Sequence, residues 1–224
     1  MAIYAISDLH LSFGTPAKEM DVFGDKWKNH EEKVKEDWLS KVKPEDTVIL
    51  SGDFSWATYL EESLKDFEFL NTLPGKKYLL KGNHDYWWNT VKKMDEFVKK
   101  HEFHDIHFLY NNAYEVENYL LAGTRYWGYD EETEDNEKIF DREIIRAKLS
   151  LEAAKALNPN KPIIFTTHYP PDDRLIQALS EYPIKIWLYG HIHTKYEENL
   201  VEIPGIQTFL TSCDYLDFQT LFLC

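Results

Sequence analysis

The stretch "YLLKGNHDYWW", residues 78–88, begins as a buried strand and ends as something else. Its apolar run stops at Gly82, and an amide, an imidazole and a carboxylate follow as Asn83, His84 and Asp85, before three large aromatics. Gly, Asn and Asp are common turn residues because they tolerate the φ/ψ values that turns need. One such string is therefore weak. It gains weight only if other strands end in the same way.

They do. "AIYAIS" (2–7) runs into Asp8 and His10; "DTVILS" (46–51) runs into Asp53; "KKYLLK" (76–81) runs into Asn83 and His84. "KPIIFTTH" (161–168) ends on His168, and "IKIWLYGHIH" (184–193) ends on His191 and His193. Each of the first three strands is followed by an amphipathic helical stretch: 30–42, where Val34, Trp38 and Val42 form one stripe, about 57–71, and 91–100. Strands separated by helices pair in parallel through right-handed crossovers. Ligands bind at the carboxyl ends of such strands, so the polar residues are expected to converge on one crevice.

Alternate residues of an extended chain point the same way, which would let Asp8 with His10, and His191 with His193, each present two side chains to one side. Gly52, Gly82 and Gly190 each precede a proposed ligand, where a missing Cβ allows a sharp turn or a close approach. Asp, Asn and His donors suit first-row divalent ions, and the lack of cysteine among them argues against a thiolate zinc site.

The middle and tail read differently. "AYEVENYLLAGT" (113–124) predicts a hairpin turning near Glu117-Asn118, and "DEETEDNE" (130–137) a solvated acidic loop leading into a helix that ends before Pro159. From about 196 the chain predicts a β meander with a turn at Pro204-Gly205. There are no repeats or Gly/Ser linkers, so residues 1–224 are expected to form one domain, with two layers of sheet and helices outside.

Composition narrows the partners. Among 224 residues, 25 Lys and Arg face 39 Asp and Glu, for a net charge of −14. Duplex nucleic acid and anionic membranes attract basic surfaces, so neither is expected as a partner. Two cysteines, Cys213 and Cys224, are too few for a disulfide framework. No apolar run is long enough to span a membrane, "MAIYAISDLH" has no signal-peptide form, and "LFLC" is no prenylation box. The expected location is cytoplasmic.

Taken together, "SDLHL", "SGD", "GNHD", "TTHYPP" and "GHIHT" resemble the five motifs of the calcineurin-like metallophosphoesterase superfamily, from residue 6 to 194. The resemblance implies a four-layer αββα sandwich with two divalent ions (Mn²⁺, Fe, Zn²⁺ or Co²⁺) at the strand ends. By motif position one ion takes Asp8, His10 and His193, the other takes Asn83, His168 and His191, and Asp53 bridges both. His84 and Asp85 become a catalytic pair, with Asp85 holding His84. The implied reaction is hydrolysis of a phosphomonoester or phosphodiester of a small molecule by a hydroxide shared between the ions. The second motif continues "GDFSWA" where several protein phosphatases of the superfamily have G-D-x-x-D-R, which speaks against a phosphoprotein substrate.

Two alternatives remain open. A nuclease on the same ions should carry a basic channel for the strand. An interaction scaffold on the same fold should lack some of the ligands, whereas all are present here. Arg125, in "AGTRYWG", is a candidate phosphate clamp because guanidinium can bind phosphate through two parallel hydrogen bonds. Trp56, Tyr86, Trp87 and Tyr169 flank the motifs and are expected in the core or on the pocket wall. His30 is expected at the surface, and His101, His104 and His107 are expected to be packing or exposed residues without a shared face.

Overall fold

The computed structural model of the protein describes residues 1–18, 20–127 and 134–224. Two five-stranded mixed sheets pack face to face. The first has the order β10-β1-β2-β3-β4, built from β1 (Ile3–Ile6), β2 (Thr47–Leu50), β3 (Lys76–Leu80), β4 (Ile106–Leu109) and β10 (Leu221–Phe222). The second has the order β5-β6-β7-β8-β9, from β5 (Ala113–Val116), β6 (Tyr119–Thr124), β7 (Ile163–Thr167), β8 (Ile184–Tyr189) and β9 (Gln207–Leu210). In each sheet four strands run parallel and one edge strand, β10 or β5, is antiparallel.

Period-two alternation explains how these strands serve two cores at once. In β1, Ile3 and Ala5 face the other sheet while Tyr4 and Ile6 face helices. Ile49, Tyr78, Leu80 and Leu109 join Ile3 and Ala5 against Val116, Leu121, Ile164, Ile186 and Leu188 of the second sheet. Helices α1 (His30–Lys41), α2 (Leu64–Thr72) and α3 (Val91–Lys100) cover the first sheet with Val34, Trp38, Phe67, Leu70, Met94 and Phe97. Helices α4 (Glu134–Leu157) and α5 (Asp173–Ala178) cover the second with Ala147, Leu151, Ala154 and Leu175. Three apolar interfaces make four layers, α-β-β-α. Among the described residues no helix is long and apolar enough to cross a membrane.

Three expectations need correction. The helix read over about 57–71 begins only at Leu64, because the Glu62 carboxylate accepts the backbone N–H of Thr58 and Tyr59 and holds a turn ahead of it. The acidic stretch 130–137 divides: residues 130–133 lie outside the described residues, and from Glu134 the chain is already α4. The tail turns at Gly205, whose φ is 80°, but it is no meander. β9 pairs in parallel with β8, and β10 crosses to the first sheet to pair antiparallel with β1.

That crossing stitches the sheets together where their strands end. Ser7 N donates to Thr211 O at 2.7 Å, Cys213 N to Ser7 O at 2.9 Å, and Thr166 Oγ1 to Ser51 Oγ at 2.9 Å.

Ile164 is fully buried between the sheets, so Ile164→Ala should destabilise by about 2–5 kcal/mol, read by urea unfolding. A loss below about 1 kcal/mol would mean that the sheets do not share this core.

Candidate metal centre

The carboxyl ends of β1, β2, β3, β7 and β8 converge along that seam. Loop 8–11 runs beside loop 52–56: Asp8 N donates to Gly52 O, His10 N to Asp53 O and Leu11 N to Phe54 O, at 2.9–3.0 Å. Asp8, His10, Asp53 and His191 all take left-handed backbone angles, with φ of 58°, 45°, 51° and 72°. Strand alternation therefore does not aim these residues, contrary to the expectation for Asp8 with His10 and for His191 with His193. Each pair is carried by a loop that has already left the extended state. Such angles cost a non-glycine residue on the order of 1–3 kcal/mol, so surrounding contacts must hold them.

Neighbouring glycines make the room. A Cβ on Gly82 would sit 2.0 Å from Asp53 Oδ1, and one on Gly190 would sit 2.4 Å from Asp8 Oδ2. The missing side chains admit the ligands themselves.

The two carboxylates are held differently. Asp8 Oδ2 accepts from Ser212 Oγ at 3.0 Å and from Ser7 Oγ, and both Asp8 oxygens accept His191 N at 3.1 Å, with Oδ1 3.6 Å from His193 Nε2. Asp53 Oδ1 accepts His84 N at 2.7 Å. Its Oδ2 is buried with no hydrogen-bond partner among the described residues, 3.7 Å from His10 Nε2 and 3.5 Å from His168 Nε2. A buried carboxylate oxygen without a donor is costly unless a cation meets it.

The imidazoles are set in the same manner. His168 Nδ1 lies 3.0 Å from Ser51 O, and His193 Nδ1 lies 2.9 Å from Asp214 Oδ1, so each Nε2 points inward. His10 Nε2 faces His193 Nε2 at 3.4 Å. Asn83 Oδ1 lies 2.7 Å from His168 Nε2 and 2.9 Å from His191 Nδ1. Two carboxylate–histidine clusters of metal-binding size result, Asp8–His10–His193 and Asp8–Asp53–His168. Asp8 belongs to both, but its Oδ2 is already spent on hydrogen bonds. Asp53 Oδ2 carries no hydrogen bond among the described residues and lies within ion-pair distance of two Nε2 atoms.

Charge is divided among the histidines. Burial pushes His10 and His191 down to about 4, which keeps them neutral. Burial alone would also lower His168, but Asp53 raises it to about 9. His193 is raised to about 10 against the same penalty by Asp214 and Asp8.

The sequence model of the family described as calcineurin-like phosphoesterase matches residues 1–195. The chain belongs to that family. Among solved structures, a protein of unknown function from Aquifex aeolicus, AQ665, aligns with a TM-score of 0.56 at 19% identity, covering 99% of this chain and 95% of that one. TT1561 of Thermus thermophilus aligns with a TM-score of 0.57 at 16% identity, over 85% and 81%. Phosphopantetheinyl hydrolase (PptH) of Mycobacterium tuberculosis aligns with a TM-score of 0.52 at 13% identity, over 94% and 88%. At such identities the likeness speaks for the fold. No curated protein matches the chain.

In this calcineurin-like phosphoesterase the seven expected ligands do come together; the expected partnership of Asp85 with His84 does not. Asp85 is fully buried and accepts five N–H donors: Asp53 and Gly82 on Oδ2 at 2.9 and 2.7 Å, and Phe54, Ser55 and the Trp87 indole on Oδ1 at 2.9–3.2 Å. His84 Nδ1 is buried with no partner among the described residues. The His84 ring packs on Trp56, 4.6 Å between centroids, and meets His10 edge-on at 5.6 Å.

Trp56 stacks on His10 and Tyr169 packs on His191, so both wall the centre; Trp87 is core. His30 is not at the surface but buried, its Nε2 2.9 Å from the Leu9 carbonyl. His101 and His107 pack on Phe97 and Tyr78, apart from the site. Asp214, 2.9 Å from His193 Nδ1 and accepting from Lys26 Nζ at 2.6 Å, belongs to the cluster and is not among the residues the sequence points to. Its signal is present in "FLTSCD", another apolar strand ending on an acid, but a tail read as a meander hides it.

Asp85→Asn should turn an amide NH₂ toward backbone donors, destabilising by at least about 2 kcal/mol and weakening metal uptake along with activity. A variant with wild-type melting and metal content but low kcat would restore the pairing with His84. Metal uptake should also release protons, because an ion must displace those on His168 and His193. Affinity should rise between pH 6 and 8 in calorimetric titrations, and a pH-independent affinity would contradict this proton inventory.

Proposed function

We propose that the chain hydrolyses a phosphomonoester or phosphodiester of a small molecule with two divalent ions. Asp8, His10 and His193 would hold one, Asn83, His168 and His191 the other, and Asp53 would be shared. The observation that carries this reading is the Asp53 Oδ2 atom, buried without a hydrogen bond among the described residues and facing the Nε2 atoms of both His10 and His168. When bound, such ions supply an activated water near neutral pH and neutralise charge on phosphoryl oxygens. Neutral Asn and His donors alongside carboxylates suit Mn²⁺, Fe, Zn²⁺ or Co²⁺.

The chain's own residues supply the rest. His84 is the proton donor to the leaving oxygen: with Nδ1 shut in, Nε2 is the ring nitrogen left to reach substrate. Asp85 acts on His84 only through the backbone, by fixing Gly82 and Asp53, whose Oδ1 in turn accepts His84 N. Trp56 keeps the imidazole upright. A covalent intermediate is not called for: Cys213 is buried, its thiol pushed well above the usual range by that burial. Residues 1–224 are read as one catalytic domain, because both sheets supply ligands to one centre. The two free cysteines agree with a reducing, cytoplasmic setting.

A panel of aryl phosphate, aryl phosphodiester, nucleotides and duplex DNA, assayed with each metal, tests the reading. Esters of small molecules should turn over, and duplex DNA should be neither bound nor cut. Asp53→Asn should lose metal and activity together. His84→Asn should keep its metal and lose roughly 10²–10⁴ in kcat, with a smaller loss for a very acidic leaving group. If His84→Asn sheds metal, or cleaves a poor leaving group at the wild-type rate, the role given to His84 is wrong.

A further inference from the structure

The chain has only four arginines, at 125, 142, 146 and 174. Three of them line one cleft. Arg125, Arg142 and Arg146 meet Lys81 around a cavity of about 850 Å³ that runs past Trp88 and Thr124. Arg142 and Arg146 are one helical turn apart on α4, so they share a face. One carboxylate, Glu143, also lines the cleft; its Oε1 holds Arg146 Nη1 at 2.6 Å and its buried Oε2 has no partner among the described residues. Neither Lys81, Arg125 nor Arg142 has an ion-pair partner among the described residues. In a protein of net charge −14, four cations against one acid make a local reversal of field.

The cleft adjoins the metal centre. A second hollow of about 360 Å³ is lined by Lys81, Arg125, Asn83, Tyr86, Trp127 and Tyr169, with the fully buried Asp85 at its back. Lys81 and Arg125 belong to both walls, and Asn83 touches His168 and His191. Arg125 is fixed at this junction because its carbonyl accepts His168 N at 3.0 Å and its guanidinium lies 4.7 Å over the Trp127 ring.

We infer that this cleft binds a second phosphate group of the substrate, remote from the scissile ester, so that the preferred substrates are small phosphoesters bearing another phosphate or a diphosphate. This rests on the phosphoesterase reading above. Guanidinium groups recognise phosphate through paired, charge-assisted hydrogen bonds, and the volume is that of a small-molecule site. A polynucleotide would need a cationic groove to track its backbone, whereas here the cations are confined to one cleft of an acidic protein.

Two measurements test this. In metal-free protein, inorganic diphosphate should bind saturably by calorimetry, and the exposed Arg142, changed to Glu, should weaken that binding by about tenfold or more. With metal, α,ω-alkanediol bisphosphates of three to ten carbons are compared with their matched monophosphates. At some length the bisphosphate should have the lower KM, and Arg142→Gln should shrink the ratio of kcat/KM between the two about tenfold. Absent diphosphate binding, equal binding by wild type and Arg142→Glu, or no bisphosphate preference at any length overturns the inference. So does tight, salt-sensitive binding of single-stranded DNA without that preference, which would favour a nuclease. Diphosphate binding that Arg142→Glu abolishes, in a protein that hydrolyses no ester with any metal, would sustain the cleft and sink the phosphoesterase reading.

Discussion

One carboxylate holds the centre together. Asp85 lies at the back of the site and gathers five N–H groups from the two loops that carry Asp53, Asn83 and His84. Buried backbone donors must find acceptors, and loops at strand ends have no ladder to supply them. A single anion does so for both loops at once. Because Asp53 sits in left-handed backbone and Gly82 packs against its carboxylate, loosening either loop would move the oxygen that the rest of the centre faces.

A second constraint is the seam between the sheets. Each sheet alone carries part of the donor set: β1, β2 and β3 end on Asp8, His10, Asp53 and Asn83, whereas β7 and β8 end on His168, His191 and His193. The set is complete only because Ser7, Ser51, Thr166, Thr211 and Cys213 bond across the strand ends. The intersheet core of Ile, Leu and Ala side chains brings the layers together, and these polar contacts fix their register. Packing and chemistry are thus coupled through geometry.

Much of this was legible in the sequence for a physical reason. Parallel strands followed by helices have one functional end, so a polar residue after each apolar run carries positional information. The proposed ligands Asp8, His10, Asp53, Asn83, His168, His191 and His193 are of that kind. What escaped depends on long-range contacts that no local pattern encodes. Asp85 looks like a partner for its neighbour His84, but the backbone donors of residues 53–55 claim it. His30 reads as a helix-start surface residue until the Leu9 carbonyl is seen to lie 2.9 Å from its ring. Arg142 and Arg146 sit in an unremarkable charged helix, and only the packing of α4 beside Arg125 and Lys81 gives them a common target. The tail misleads because β9 lies parallel to β8, a pairing that short β-rich runs separated by a Pro-Gly turn do not announce.

The claim on which the rest turns is that Asp53 is shared by two ions. Crystals grown with Mn²⁺ and measured at an anomalous wavelength address it directly. Two peaks are expected in each chain, one beside Asp8, His10 and His193 and one beside Asn83, His168 and His191, with the Asp53 carboxylate touching both. A single peak at full metal saturation, or two peaks with Asp53 on only one of them, would contradict it.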